Sequence, residues 1–457
     1  MMTNAMSRYR WTVCALVFFA TTVNYLDRNV LGLLKPMLEQ GGVFGADRAS
    51  QEMNYATVVI CFQVAYALGM LLAGRLIDRI GPKRGYATAL IAWSVAAIGH
   101  AFGHHTWSFG FWRAALGLAE AGNFPAANRI VAEWFPLRER ALATGLYNSG
   151  ANVGAIVAPL FVPAVALAYG WEWAFIATGA VGLLWLLFWW RMYDSPSAML
   201  AKGRISQAEY AHIHSDRVES VAAVEEDEQA ETWSWGRVLR LRQTWAFIFG
   251  KLLTDPVWWF YLFWLPAFLS GENTRKTQIF LTSHPGADAA LAPGLINWPF
   301  ALAVVYTVAT VGSILGGWAP KLLMQNGMAP NRARSRAMFC IAVLPLSVLL
   351  AGRLGEIDTW WAVMVIALAC AAHQAWSCNL FTTVSDLFPK SAVASVTGIG
   401  GMAGALGGIA FSRLAGELLS HFAALGKIEQ GYGLLFMFCG CAYLLAWALM
   451  RLLVPPK

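Results

Sequence analysis

The chain has 457 residues, 58% of them hydrophobic and 13% charged, whereas soluble domains run about 45–50% apolar and about 25% charged, so a soluble globular protein is excluded. A mean hydropathy of +0.51 and repeated apolar runs of about 20 residues point to an all-α polytopic membrane protein, and short alternating segments of the kind that build a closed barrel are missing. The net charge of +7 is then charge placed on one side of a membrane and not a nucleic-acid footprint.

The amino terminus, MMTNAMSRYRWTVCALVFFA, has the basic start and apolar run of a signal peptide. The run continues past Tyr25 without a small-residue cleavage site, so it reads as a retained first span. Further spans are placed at about 53–77, 84–103, 107–133, 140–168 and 172–192. A polar stretch over 194–240 carries the acidic run Glu225, Glu226, Asp227 and Glu228. Within it Ser206-Gln-Ala-Glu209 has the form of a capping box that opens a short interfacial helix. Six more spans follow at about 242–270, 297–324, 334–353, 359–384, 391–418 and 432–453. The expected domains are a six-helix bundle over 1–193, a cytoplasmic linker over 194–240 and a second bundle over 241–457. The seven cysteines all fall in apolar spans without metal-ligand spacing, so free buried thiols are expected.

Basic residues gather in alternate loops: Arg8 and Arg10, then Arg75, Arg79, Lys83 and Arg84, then Arg138 and Arg140, and later Arg332, Arg334 and Arg336. By the positive-inside rule both termini are cytoplasmic. The halves also repeat each other. Glu133-Trp-Phe135-Pro136 precedes Thr144-Gly145, and Asp386-Leu-Phe388-Pro389 precedes Thr397-Gly398; the pairs 133/386, 136/389 and 144/397 share one offset of 253 residues. Parallel six-span halves with a site near the midplane describe the major facilitator architecture.

The organising stretch is 111–135, where Arg113 and Glu120 lie about two turns apart on one helix face. Each ion costs roughly 2.5–3.5 kcal/mol or more inside a span, so the pair marks either an ion or substrate path or a buried structural ion pair. In the first span, Asp27 and Arg28 point about 100° apart, so one can face a cavity while the other meets a neighbouring helix. Two arginines, Arg28 and Arg113, on a cavity form a carboxylate clamp, because a guanidinium offers a planar fork. Glu120 can take and release a proton, since burial disfavours a charged carboxyl and a nearby guanidinium favours it. The offset of 253 places His373 at the position of Glu120, so His373 is the second half's candidate for proton coupling, or else a bound structural histidine. Beside it Gln374, Trp376 and Asn379 suit recognition of sugar hydroxyls. Lys251 and Asp255, four apart, are either functional or a self-satisfied pair.

Gly74-Arg75-Leu76-Ile-Asp78-Arg79-Ile-Gly81-Pro-Lys83-Arg84 resembles the signature loop of the major facilitator superfamily. In that family the loop latches the cytoplasmic side, which implies latch roles for Gly74, Asp78, Arg79 and Arg84, with Arg79 pairing nearby. The runs NYLDR at 24–28, GLAEAGNFPAA at 117–127, AEWFPLRERALATGLYNSGANVGA at 132–155 and HQAWSCNLFT at 373–382 resemble the anion:cation symporter family, most of all its hexuronate transporters. The resemblance implies that Tyr25, Arg28, Tyr66 and Arg113 hold a sugar-acid carboxylate and hydroxyls, with Asp27 and Glu120 in proton coupling. Asn152 stands where a polar contact from the fifth span is expected. The implied protein is a proton-coupled importer in a bacterial-type inner membrane, a monomer with a small anionic substrate, a hexuronate or else another sugar acid or organic carboxylate (an aldonate, aldarate or aromatic acid), and no cofactor beyond the proton gradient. One departure from the family is a polar, turn-rich connection over 272–298, longer than usual. No nucleophile, metal cluster or phosphate loop suggests an enzyme.

Overall fold

The computed structural model describes residues 8–45, 48–215, 233–425 and 427–454, so the acidic run at 225–228 lies outside the described residues. Among the described residues the ordered elements are helices, with no strand. Span one is Tyr9–Gln40, span two Arg48–Ile80 and span three Pro82–Gly99. Span four is broken into Thr106–Glu120 and Asn123–Trp134; span five is Leu137–Tyr169 and span six Trp171–Met192. Three short helices, Pro196–Ala201, Gln207–Ile213 and Trp235–Leu239, lie in the connection. Span seven is Arg242–Phe263 and runs on into a second helix, Leu265–Ser283. Span eight is Trp298–Gln325, and span nine combines Pro330–Val343, a tighter 3₁₀ stretch over Leu344–Leu350, and Ala351–Ile357. Spans ten, eleven and twelve are Thr359–Leu387, Lys390–Ala424 and Ile428–Leu453.

Nine of these segments among the described residues are long and apolar enough to cross a membrane. Spans one, four and seven are not among the nine. They are the ones that carry Asp27 and Arg28, Arg113 and Glu120, and Lys251 and Asp255. Local rules fail where charge has been placed for another purpose. On the outside of the bundle Leu68, Leu72, Leu160, Leu187 and Phe188 are exposed, as a surface facing lipid tails requires.

The packing repeats under addition of six to each span number. One packs on five, two on four and three on six; seven packs on eleven, eight on ten and nine on twelve. Between the halves, two meets eleven and five meets eight. Small residues permit these crossings. A Cβ on Gly74 would collide with the Ala394 carbonyl, and one on Gly317 with that of Ala141. The same duplication appears inside each half, where Gly154 rests on the Thr22 carbonyl and Gly407 on that of Leu252.

Two expectations need correction. The connection over 272–298 is not turn-rich throughout: helix continues to Ser283, because nothing stronger than Gly271 interrupts it before His284-Pro-Gly286. Span four is not one rod. Pro125 has no N–H to offer the Ala121 carbonyl, and the helix breaks just after Glu120.

Hydrogen bonds that cross between the halves gather from the midplane towards the side carrying both termini. Asn148 donates to Gln374 Oε1 at 2.7 Å, and Gln374 Nε2 donates to Asn152 Oδ1 at 3.3 Å. Below them Asn128 donates to the Phe381 carbonyl at 3.1 Å and to Thr397 Oγ1 at 2.9 Å. Lower still, Arg140 reaches the Ser385 carbonyl and lies 3.5 Å from Asp386, which also pairs with Arg334.

Candidate functional site

A cavity of about 70 Å³ lies between the halves, lined from one side by Tyr25, Arg28 and Tyr66 and from the other by Lys251, Asp255 and His373. At about 10–15 Å³ per water centre it has room for several waters or a small ligand group. It is closed towards the terminus side by the crossing bonds just described.

Arg28 is its anchor. Its Nε donates to Glu120 Oε2 at 2.8 Å and its Nη2 to Asn24 Oδ1 at 3.3 Å. Its guanidinium carbon lies 4.6 Å from the Tyr25 ring centre, 4.8 Å from that of Tyr66 and 5.3 Å from that of Phe62. An aromatic cage of this kind favours a cation with little water around it. Glu120 is fully buried, and its Oε1 has no hydrogen-bond partner in this structure. Span one turns Tyr25 and Arg28, three apart, to the cavity and turns Asp27 away. Asp27 is buried, with the Thr178 hydroxyl of span six beside its carboxyl and Glu120 and Arg113 as its electrostatic neighbours.

Arg113 reaches the depth the sequence suggested: its Nη2 donates to the Arg28 carbonyl at 2.8 Å. It does not line the cavity, and its Nε and Nη1 have no partner. The expected two-arginine clamp is therefore not formed. One guanidinium faces the cavity and the other sits behind it under the Phe62 ring, 4.9 Å from its centre.

In the second half His373 Nδ1 lies 2.6 Å from the Tyr443 hydroxyl, and its ring stacks on Trp258 at 5.1 Å. Aligning Thr22 with Leu252, as the glycine contacts do, places Trp258 opposite Arg28; the ion pair Arg28–Glu120 has the stack Trp258–His373 as its symmetry mate. On span ten, His373, Gln374, Ser377 and Phe381 share a face about 100° wide and line the cavity. Trp376 and Asn379 fall on the other side and are corrected accordingly. Trp376 is buried edge-on to Tyr443 at 5.7 Å, and Asn379 Nδ2 is held by the Gly316 carbonyl at 2.8 Å and the Ala375 carbonyl at 2.9 Å. Asn152 reaches the site through Gln374 and is fully buried. Asn148, which the sequence reading passed over, does line the cavity; its signal was a position four before Asn152.

The signature loop meets the other half through residues that differ in part from those expected. Asp78 accepts from Ala394 N–H at 3.2 Å and Ser395 N–H at 2.7 Å, at the start of span eleven, with Gly74 packed against the same turn. Its guanidinium partner is Arg129 of span four at 3.4 Å, itself held by Glu133 at 3.0 Å. Arg79 and Arg84 are exposed, because one residue further along a helix turns the side chain about 100° away. Lys83 instead meets Asp194 at 2.9 Å, where Lys202 joins it at 2.7 Å.

A family profile described as Major Facilitator Superfamily matches residues 17–412. The chain is 29% identical over 415 residues to the hexuronate transporter of Escherichia coli (strain K12), covering 90% of this chain and 87% of that protein. It is 30% identical over 433 residues to the D-galactonate transporter of Escherichia coli O6:H1, covering 93% and 90%. To the galacturonate transporter of Dickeya chrysanthemi it is 29% identical over 369 residues, covering 80% and 95%. Among solved structures, the proton:xylose symporter XylE superposes with a TM-score of 0.72 at 15% identity, over 99% of this chain and 97% of that one, which shows the fold.

Proposed function

The chain belongs to the Major Facilitator Superfamily, and from that premise we propose that it is a proton-coupled symporter that imports a small sugar acid, a hexuronate such as galacturonate or glucuronate, by alternating access. It is a multi-pass membrane transporter and not an enzyme. In this reading it works as a monomer in a bacterial inner membrane, with both termini in the cytoplasm and the proton gradient in place of a cofactor.

The observation that carries the reading is Arg28: a caged cation facing the cavity between the halves, neutralised by Glu120 at 2.8 Å. A substrate carboxylate displaces Glu120 from the guanidinium fork, and Glu120, losing its partner in a buried site, takes up a proton from the outer solution. The loaded site is then as neutral as the empty one. Gln374, Asn148 and Ser377 offer hydrogen bonds to hydroxyls, and rocking at the two-with-eleven and five-with-eight crossings exposes the ligand to the cytoplasm. The ligand drives this only by binding the occluded state better than the open ones.

Proteoliposomes with an acid exterior are expected to accumulate radiolabelled galacturonate or glucuronate above equilibrium. Glu120→Gln should bind and exchange the substrate yet lose gradient-driven accumulation; normal accumulation by that variant would refute the coupling role. The 30% identity to a galactonate transporter favours a second reading, an aldonate as substrate. Competition of labelled hexuronate uptake by a panel of sugar acids separates the two.

A further inference from the structure

The terminus side of the second half holds a cavity to which sugar-acid import assigns no task. Its volume is about 100 Å³, and it lies among the ends of spans seven, nine, ten and twelve, at the depth of lipid headgroups. Arg334, Met338, Asp386, Trp447, Met450 and Arg451 line it. Arg334 is 6% exposed, and its Nε and Nη2 make no hydrogen bond. Arg451 stands exposed at the rim, its guanidinium carbon 5.1 Å from the Trp447 ring centre and, among the described residues, without an acid in pairing range. Asp386 is the one acid in the lining, and it is already shared between Arg334 and Arg140. The cavity thus carries an excess of positive charge beside an apolar wall.

The packing repeat shows how the first half treats the corresponding place, among the ends of spans one, three, four and six. Tyr9, Trp134 and Tyr193 occupy it, with ring centres 6.0 Å apart for the first pair and 6.4 Å for the second. The fully buried Glu209, on the linker helix Gln207–Ile213, accepts from the Tyr9 and Arg10 N–H groups at 3.0 Å each and from the Arg10 guanidinium at 3.2 Å. An acid brought from outside the bundle therefore answers the buried arginine there. In the second half, among the described residues, no segment outside the bundle brings an acid to Arg334 and Arg451. The lining also selects the kind of anion. A guanidinium fork matches a phosphate. Met338 and Met450 offer little to sugar hydroxyls, and the Trp447 N–H is already given to the Ser335 carbonyl at 3.1 Å. Phe339, 4.8 Å from the Trp447 ring, and Leu452 beside Arg451 are exposed apolar surface of the kind that faces lipid tails.

We propose that this cavity binds the phosphodiester headgroup of an anionic phospholipid, with the phosphate between Arg334 and Arg451 and the acyl chains running out over Phe339 and Leu452. The inference concerns the bilayer and stands whichever sugar acid is carried.

Photoactivatable phosphatidylglycerol and phosphatidylcholine with matched chains are the probes, reconstituted with the full chain in proteoliposomes and mapped to peptides by mass spectrometry. Phosphatidylglycerol should label the ends of spans nine and twelve around Met338 and Met450 well above phosphatidylcholine, and unlabelled phosphatidylglycerol should compete. Arg451→Gln should weaken this labelling about tenfold or more, as for the loss of one charge-assisted hydrogen bond, whereas Arg451→Lys should keep most of it. Equal labelling by the two lipids, labelling spread evenly around the bundle, or an Arg451→Gln pattern like that of the parent would overturn the inference in favour of ordinary contact with the surrounding bilayer. Competition by inorganic phosphate as strong as that by phosphatidylglycerol would overturn it in favour of a free ion.

Discussion

Arg28 and Arg113 carry the same charge against the same Phe62 ring, yet their surroundings assign them different tasks. Arg28 presents a fork to the cavity, so Arg28→Lys, which keeps the charge and loses the planar geometry, should reduce hexuronate uptake about tenfold or more while the protein folds normally. Arg113 holds the Arg28 carbonyl and supplies buried positive charge beside Glu120 and Asp27. Arg113→Ala should abolish uptake and also lower the melting temperature, because it strands the buried Asp27 and removes a positive charge beside Glu120. Wild-type stability in that variant would contradict this division. Outside the membrane, burial opposes the charge on Asp194, but the ammonium groups of Lys202 and Lys83 outweigh it and hold its carboxyl down at about 2. A depressed acid contributes stability above its ordinary value and loses it only as pH falls through about 2. Asp194→Asn should therefore leave the shape of the uptake profile between about pH 5 and 8 unchanged. Residue types were readable from the sequence, but their directions needed the helix phase. The span-ten run reads as one polar cluster by composition, although its own spacing separates His373, Gln374 and Ser377 from Trp376 and Asn379.

At the scale of the element, two devices fix where these side chains meet. The break after Glu120 lets the first piece of span four lean Glu120 against span one while the second carries Asn128 and Arg129 to span eleven and span two. Pro125 announced it in the sequence, but the apolar run around it outweighed that signal. The other device is close helix contact at glycine. A Cβ on Gly145 would collide with the Ser313 carbonyl of span eight, so Gly145→Ala should cost about 1–3 kcal/mol as overpacking and appear as a lower melting temperature with impaired uptake. Gly416→Ala, on an exposed turn with nothing within 4 Å, is the matched control and should be neutral or slightly stabilising. The glycine-rich character of spans five and eleven was legible, but which carbonyl each glycine meets was not, because that depends on register between helices distant in sequence.

Across the whole molecule, the offset of 253 residues already implied a duplicated bundle, and the packing of spans obeys it. What no spacing could announce was the closing bond, since Asp78 meets backbone N–H groups of a helix in the other half. That bond ties span two to span eleven on the terminus side. Closure on the terminus side rests on Asp78 with span eleven near one crossing and on Arg140 with Ser385 and Asp386 near the other. Hydrogen bonds to a charged acceptor contribute about 1.5–3 kcal/mol, so Asp78→Asn should weaken this closure by about that amount. The ratio of closed to open molecules should then fall about tenfold to a hundredfold. Spin labels placed on the two halves at the terminus side should report a longer mean distance in Asp78→Asn than in the parent, with slower uptake, because the cycle no longer returns readily to the form that receives substrate. The Arg140 contacts remain in that variant, so residual transport is expected. Adding Arg140→Ala should remove it. Unchanged distances together with unchanged uptake in Asp78→Asn would mean that closure is set by helix packing at the glycines and not by the latch.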